Sequence, residues 1–230
     1  MPFCAKKIKK LKKYLKCVII EAKRGEDVIY LVYAEIPERE IAASEIRDLF
    51  GKVLYLEPIE GIKNCVSRRE SLSALLLLAR TLRNMGLNPS EITVGKDKNG
   101  RPRIEGEGRI DFSISHSGRF VACAVSDEER VGVDIEKISR DSNYLKIADR
   151  FLSEAERKEV KNADDFARMW TRKEAYYKYL GSGESLAVTD SGSADGVYIE
   201  SFLIENEYFL SVCSETKKYM DRTFQKDEIK

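Results

Sequence analysis

Residues 28–36, VIYLVYAEI, crowd β-branched and aromatic side chains into one run closed by Pro37, which predicts a strand. The pattern then changes period. Ser67-Arg68-Arg69-Glu70 has the spacing of a capping box, and the apolar run behind it predicts a helix ending near Gly86. Residues 92–96 predict a strand that turns at Asp97-Lys98-Asn99-Gly100 into a second strand at 102–104. Three further short strands are expected at 110–114, 120–125 and 131–136. Ser153 to Glu156 is a second capping box, and Asp164 is the expected cap of a helix running to Leu180 and stopped by Gly181. Strands at 196–204 and 208–213 precede a polar tail. This order predicts an α+β fold built from two similar halves, residues 1–128 and 129–230, meeting near the acidic turn at 127–130. A cleft between such halves is a common place for a ligand.

Composition narrows the class. Of 230 residues, 43% are hydrophobic and 34% charged, the balance of a soluble domain with a heavily charged surface. Forty basic residues against 39 acidic ones leave a formal charge of +1, so whole-chain charge gives no general affinity for nucleic acid. The five cysteines (Cys4, Cys17, Cys65, Cys123, Cys213) form no CxxC pair, which argues against a zinc site or a disulfide framework and favours a reducing cytoplasm. The apolar run at 17–20 is too short for a signal peptide, and no run is long enough for a membrane span. Seven lysines between residues 6 and 16 form either a solvated helix face or a patch for an acidic partner.

Three segments carry candidate chemistry. In V-G-V-D-I-E, residues 131–136, a strand places Asp134 and Glu136 on one face and Val133 and Ile135 on the other. Two carboxylates about 6–7 Å apart repel unless a cation joins them, and Mg²⁺ suits such a pair; the plain alternative is a half-exposed strand with acids in water. In W-T-R-K-E-A-Y-Y-K, residues 170–178, Glu174 and Lys178 share a helix face. They are either a surface ion pair or a metal ligand and a phosphate contact. In the stretch 111–120, DFSISHSGRF, Ser115, His116 and Ser117 lie before Gly118, whose turn exposes backbone N–H groups. That arrangement suits a phosphate, or a histidine that caps the turn; a serine nucleophile lacks its G-x-S-x-G elbow.

Taken together, F-S-I-S-H-S-G, G-V-D-I-E, F-L-S-x-x-E (residues 151–156) and W-T-R-K-E-A-Y-Y-K, in this order, resemble the Sfp-type 4′-phosphopantetheinyl transferases. Asn99-Gly100-Arg101-Pro102 is similar to that family's G-K/R-P turn, and the glycine-punctuated segment from Gly181 to its loop after the helix. The resemblance implies a pseudo-dimer of two α+β halves with the active site in the cleft between them. It implies transfer of the phosphopantetheine arm of coenzyme A to a serine of an apo carrier protein of fatty-acid, polyketide or non-ribosomal peptide assembly. By the same resemblance Asp134, Glu136 and Glu174 hold Mg²⁺, or Mn²⁺ in its place. Glu174 and Lys178 are catalytic, as proton acceptor and as stabiliser of the pyrophosphate. Ser115, His116 and Arg101 contact the nucleotide, His116 at the 3′-phosphate. Where the family carries a basic residue on its first helix this chain has Ser71, with Arg68 or Arg69 as substitutes. No nucleic acid or membrane partner is implied, and two halves in one chain suit a cytoplasmic monomer. The rival reading is a Mg²⁺-dependent nuclease or phosphohydrolase using the same carboxylates.

Overall fold

Strand Phe120–Ser126 is buried at every position, and its two faces serve two different cores. Val121, Cys123 and Val125 belong to one apolar cluster, and Phe120, Ala122 and Ala124 to another. A strand whose both faces are covered must lie inside a stack of layers, and the rest of the chain supplies them. The computed structural model describes residues 17–24, 27–106, 109–141, 143–183 and 196–215, with backbone alone through residue 28. In chain order the elements are β1 (Cys17–Arg24), β2 (Asp27–Glu35), α1 (Ala43–Arg47), β3 (Lys52–Val53), α2 (Leu56–Glu60) and α3 (Cys65–Asn84). A 3₁₀ turn (Pro89–Glu91) leads to β4 (Thr93–Lys96), β5 (Pro102–Ile104), β6 (Asp111–Ser117), β7 (Phe120–Ser126) and β8 (Val131–Lys137). Helices α4 (Asn143–Phe151), α5 (Glu154–Glu159) and α6 (Ala163–Leu180) precede β9 (Tyr198–Ile204) and β10 (Tyr208–Ser214).

The fold is mixed α+β with three sheets, ordered β1-β2-β7-β6, β8-β10-β9 and β3-β4-β5. Leucines 72, 75, 76, 77, 78 and 82 of α3 pack on one face of the first sheet. Its other face meets Val131, Val133 and Ile135 of β8 and Leu210 and Val212 of β10 across the second cluster. Helix α6 covers the far side of β8 and β10, where Ala175 and Tyr176 meet Cys213. Gly132 allows this approach: a Cβ there would lie 2.0 Å from the Ala175 carbonyl oxygen and 2.6 Å from the Tyr179 nitrogen. The glycine therefore brings α6 against the β8 face that carries Asp134 and Glu136.

Two helix starts differ from the sequence expectation. Helix α3 begins at Asn64, whose side chain accepts from the N–H groups of Val66 (2.9 Å) and Ser67 (3.2 Å). Ser67 thus lies inside the first turn, and the Ser67–Glu70 spacing caps nothing. Asn162, not Asp164, caps α6 by accepting from the Asp165 N–H at 2.9 Å. An asparagine two or three residues upstream offers the same acceptor, and spacing alone does not choose between them. The second capping box forms as expected: Glu156 N–H donates to Ser153 Oγ at 3.2 Å, and Ser153 N–H to Glu156 Oε2 at 2.7 Å. The pattern in the sequence also does not predict β1, β3, α1, α2 or α4. No described helix is long and apolar enough to cross a membrane. The lysine-rich segment 6–16, most of the loop after Gly181 and the polar tail lie outside the described residues.

Candidate active site

Strand β8 pairs with β10 on one edge only, so its other edge has backbone N–H groups to satisfy. The alternate residues of β6 do this with side chains. Asp111 Oδ2 accepts from the Val131 N–H at 2.9 Å, Ser113 Oγ from Val133 at 3.0 Å and Ser117 Oγ from Lys137 at 3.1 Å. The fourth member of this row, Ser115, makes a different contact: its hydroxyl donates to Asp134 Oδ1 at 2.7 Å. The D-x-S-x-S-x-S alternation is therefore a seam between two sheets, with the functional candidates at its end.

Asp134 is 5% exposed and is gripped on one oxygen only. Lys178 Nζ lies 2.7 Å from Oδ1 and also donates to Ser115 Oγ at 2.9 Å. Oδ2 is buried with no hydrogen-bond partner. Burial and the Asp134 charge, in that order, push the Glu136 carboxyl up to about 7, with Glu174 adding to the rise. The same two causes raise the Glu174 carboxyl, against the pull of Lys178. Glu136 thus feels both other acids and Glu174 feels Asp134, a cluster short of positive charge. Among the described residues no three His, Cys, Asp or Glu side chains are gathered as a ready cage; Lys178 occupies the near side of Asp134. An orphaned buried carboxylate oxygen beside two acids with raised pKa values nevertheless fits a divalent cation.

The sign of a pH effect follows. Glu136 carries a folded value of about 7 above its ordinary 4.5, so it binds its proton more tightly folded than unfolded. Its contribution to stability is full below pH 4.5 and is lost as pH rises toward 7. The metal-free protein should therefore have a lower Tm at pH 8 than at pH 5.5, and Glu136→Gln should flatten that slope in differential scanning calorimetry.

A cavity of about 460 Å³ opens beside this cluster, lined by Ser115, His116 and Lys178, by Ser71 and Leu75 of α3, and by Tyr55 and Lys96. A second of about 250 Å³ runs from Gly100 and Arg101 to Tyr177 and Gly181, and Lys178 lines both. His116 is partly exposed, with Nδ1 3.6 Å from Glu70 Oε2. Glu70, expected as a capping residue, is instead the acid that faces the histidine. Arg101 lines the second cavity but spends its Nη groups on Asp111 (2.8 and 2.7 Å) and on the carbonyls of Phe112 and Val131. Arg68 donates to Ile62 O and Glu40, and Arg69 to Glu38 O. Neither is among the described residues lining the larger cavity, to which α3 contributes Ser71.

Behind the site, Lys173 is fully buried and donates to Glu156 Oε2 at 2.8 Å. The F-L-S-x-x-E and W-T-R-K-E segments are thus tied to each other through a buried ion pair, which the sequence reading did not assign.

The 4′-phosphopantetheinyl transferase superfamily profile matches residues 130–226, which include β8, α6 and their carboxylates. A 4′-phosphopantetheinyl transferase of Bacillus subtilis is 30% identical over 215 residues, covering 83% of this chain and 94% of its own. The chain belongs to the 4′-phosphopantetheinyl transferase superfamily. The Sfp enzyme of Bacillus subtilis strain 168 is 30% identical over 212 residues, 81% of this chain and 91% of Sfp. AcpT of Escherichia coli K12 is 33% identical over 148 residues, 61% of this chain and 74% of AcpT. Both are 4′-phosphopantetheinyl transferases, and the nuclease or phosphohydrolase alternative draws no support from these matches. The three acids lie on the stretch that the profile matches, whereas of the described residues lining the cavity beside them Lys178 alone does.

Proposed function

We propose that this chain transfers the 4′-phosphopantetheine arm of coenzyme A to a serine hydroxyl of an apo acyl, peptidyl or polyketide carrier protein. The observation that carries the reading is Asp134: one oxygen held by Lys178 and Ser115, the other buried and unmet, in electrostatic contact with Glu136 and Glu174. Asp134, Glu136 and Glu174 would hold Mg²⁺, or Mn²⁺ in its place. Bound there, the ion supplies charge neutralisation for a pyrophosphate and its departing half.

The chain's own residues do the rest. The carrier serine oxygen attacks the phosphorus bearing the pantetheine arm. A P–O bond forms, the bridging P–O bond of the pyrophosphate breaks, and adenosine 3′,5′-bisphosphate leaves with the bonding electron pair. Glu174 accepts the serine proton; its raised carboxyl pKa makes it a better base than an ordinary surface glutamate. Lys178, fixed by Asp134 and Ser115, faces the charge that grows on the leaving group. His116 contacts the 3′-phosphate from the larger cavity, with Ser115 beside it, and Arg101 braces the second cavity at the nucleotide. Arg68 or Arg69 would reach the nucleotide only by releasing its present carbonyl partner.

We read residues 1–128 and 129–230 as two halves of a pseudo-dimer with the active site in the cleft between them. In support, the β1-β2-β7-β6 and β3-β4-β5 sheets come wholly from the first span and β8-β10-β9 from the second. A cytoplasmic monomer suits this reading, and Cys65, Cys123 and Cys213 form no disulfide. The test is incubation with coenzyme A, Mg²⁺ and a panel of apo carriers, read by intact mass. A carrier that gains one phosphopantetheine supports the reading. A panel left unmodified while a nucleic acid is cut would overturn it.

A further inference from the structure

We infer that Asp111 is a positioning residue for the transfer: through Arg101 it locks the three sheets and the end of α6 together, so that Lys178 meets Asp134. The inference rests on the coenzyme A reading above and adds a residue to which that reading gives no part. Asp111 is the first residue of β6, Val131 is the first of β8, and Arg101 leads directly into β5. These strands belong to three different sheets. Arg101 donates to both Asp111 oxygens, at 2.8 and 2.7 Å. Its Nη2 also reaches the carbonyl oxygens of Val131 at 2.8 Å and Phe112 at 3.3 Å. Asp111 Oδ2 in turn accepts from the Val131 N–H at 2.9 Å. A guanidinium fork on a carboxylate fixes direction as well as distance, which one hydrogen bond does not. The two side chains are 13% and 19% exposed, so solvent screens the pair little.

The same clasp supports α6. Asn99, two residues before Arg101, donates from Nδ2 to the Gly181 carbonyl at 2.7 Å. Gly181 closes α6 in the left-handed region, at φ 55°, and a Cβ there would lie 3.1 Å from Arg101 Cδ. The end of the helix thus rests on the Asn99–Arg101 turn, and Lys178 stands three residues before that end. Its ammonium meets partners on two sheets, Ser115 of β6 at 2.9 Å and Asp134 of β8 at 2.7 Å. The spacing of β6 from β8 is set by the side chains of Asp111, Ser113 and Ser117, and Asp111 is the charged member of that row. Without its charge, β8 and the end of α6 are free to shift against β6, and Lys178 loses its fixed aim. A misplacement of about 1 Å at a reacting centre costs up to about 10²-fold in rate. Asp111 acts only through Arg101 and the backbone of β8 and touches no reacting atom.

Rates of carrier modification across a coenzyme A titration, measured well below each variant's Tm, test the assignment. Asp111→Asn keeps the size of the side chain and removes the charge that holds Arg101. It should lower kcat by about tenfold and leave the KM for coenzyme A within about twofold of the parent. Arg101→Lys, which keeps the charge and loses the fork, should lower kcat to a similar extent. The two substitutions combined should cost no more than the larger single one, because they break one contact. Asn99→Ala removes a single exposed hydrogen bond and should lower kcat by about threefold with Tm unchanged, so it tests the same link should Asp111→Asn fail to fold. A lower Tm with kcat unchanged would make Asp111 a structural residue only. A raised KM with kcat unchanged would make the pair a nucleotide contact. Either result, or additive losses in the combined variant, overturns the inference alone. A parent that modifies no carrier overturns the proposed function beneath it.

Discussion

Asp134→Asn should lower kcat/KM for carrier modification by about 10²–10³-fold while the fold survives. The substitution keeps the size of the side chain and a bond to Ser115. It removes the negative charge that anchors Lys178 at 2.7 Å and that pushes up the Glu136 and Glu174 carboxyls. Three effects therefore coincide: a candidate metal ligand is lost, Lys178 is released, and Glu174 moves back toward its ordinary acidity. Asp134→Ala should be at least as severe. Initial rates across a carrier titration, with circular dichroism to verify folding, read the effect. Turnover within threefold of the parent would show that Asp134 is a structural acid only.

Glu156→Gln is expected to cost about 3–5 kcal/mol of folding free energy. Lys173 is fully buried and Glu156 nearly so, their charged groups 2.8 Å apart. Glutamine still accepts from the Ser153 N–H, so the helix cap remains, but the lysine ammonium is left in the interior without a counter-charge. Glu156→Gln combined with Lys173→Met should recover much of the loss, because no buried charge then remains. Urea unfolding of the parent, both single variants and the pair measures the coupling. Loss below about 1 kcal/mol in Glu156→Gln would mean that the ammonium finds water or another partner.

Most strands were legible in the sequence as short apolar runs: β7 is buried on both sides and its residues sort by parity into two cores, while β8 sends Val131, Val133 and Ile135 to one core and Asp134 and Glu136 to its other face. The pairing of Asp134 with Glu136 on one face of β8, opposite α6, was legible for the same reason. The starts of α3 and α6 were not, although the Ser153–Glu156 box of α5 was. Asn64 and Asn162 lie a few residues before the more conspicuous Ser67 and Asp164, and only backbone geometry selects the acceptor in use. The short helices α1, α2 and α4 lack a long apolar stripe and depend on tertiary contacts. The site's long-range partners were also hidden. Nothing local in the sequence says that Glu70 faces His116, that Arg101 clasps Asp111, or that Lys96 at the end of β4 leans over Tyr55.

The most direct test of the account locates the ion itself. Crystals grown with Mn²⁺ and coenzyme A, measured at the manganese absorption edge, should give one anomalous peak bordered by carboxylate oxygens of Asp134, Glu136 and Glu174 and by pyrophosphate oxygens. A peak elsewhere, or bound coenzyme A with no manganese among those three acids, would contradict it.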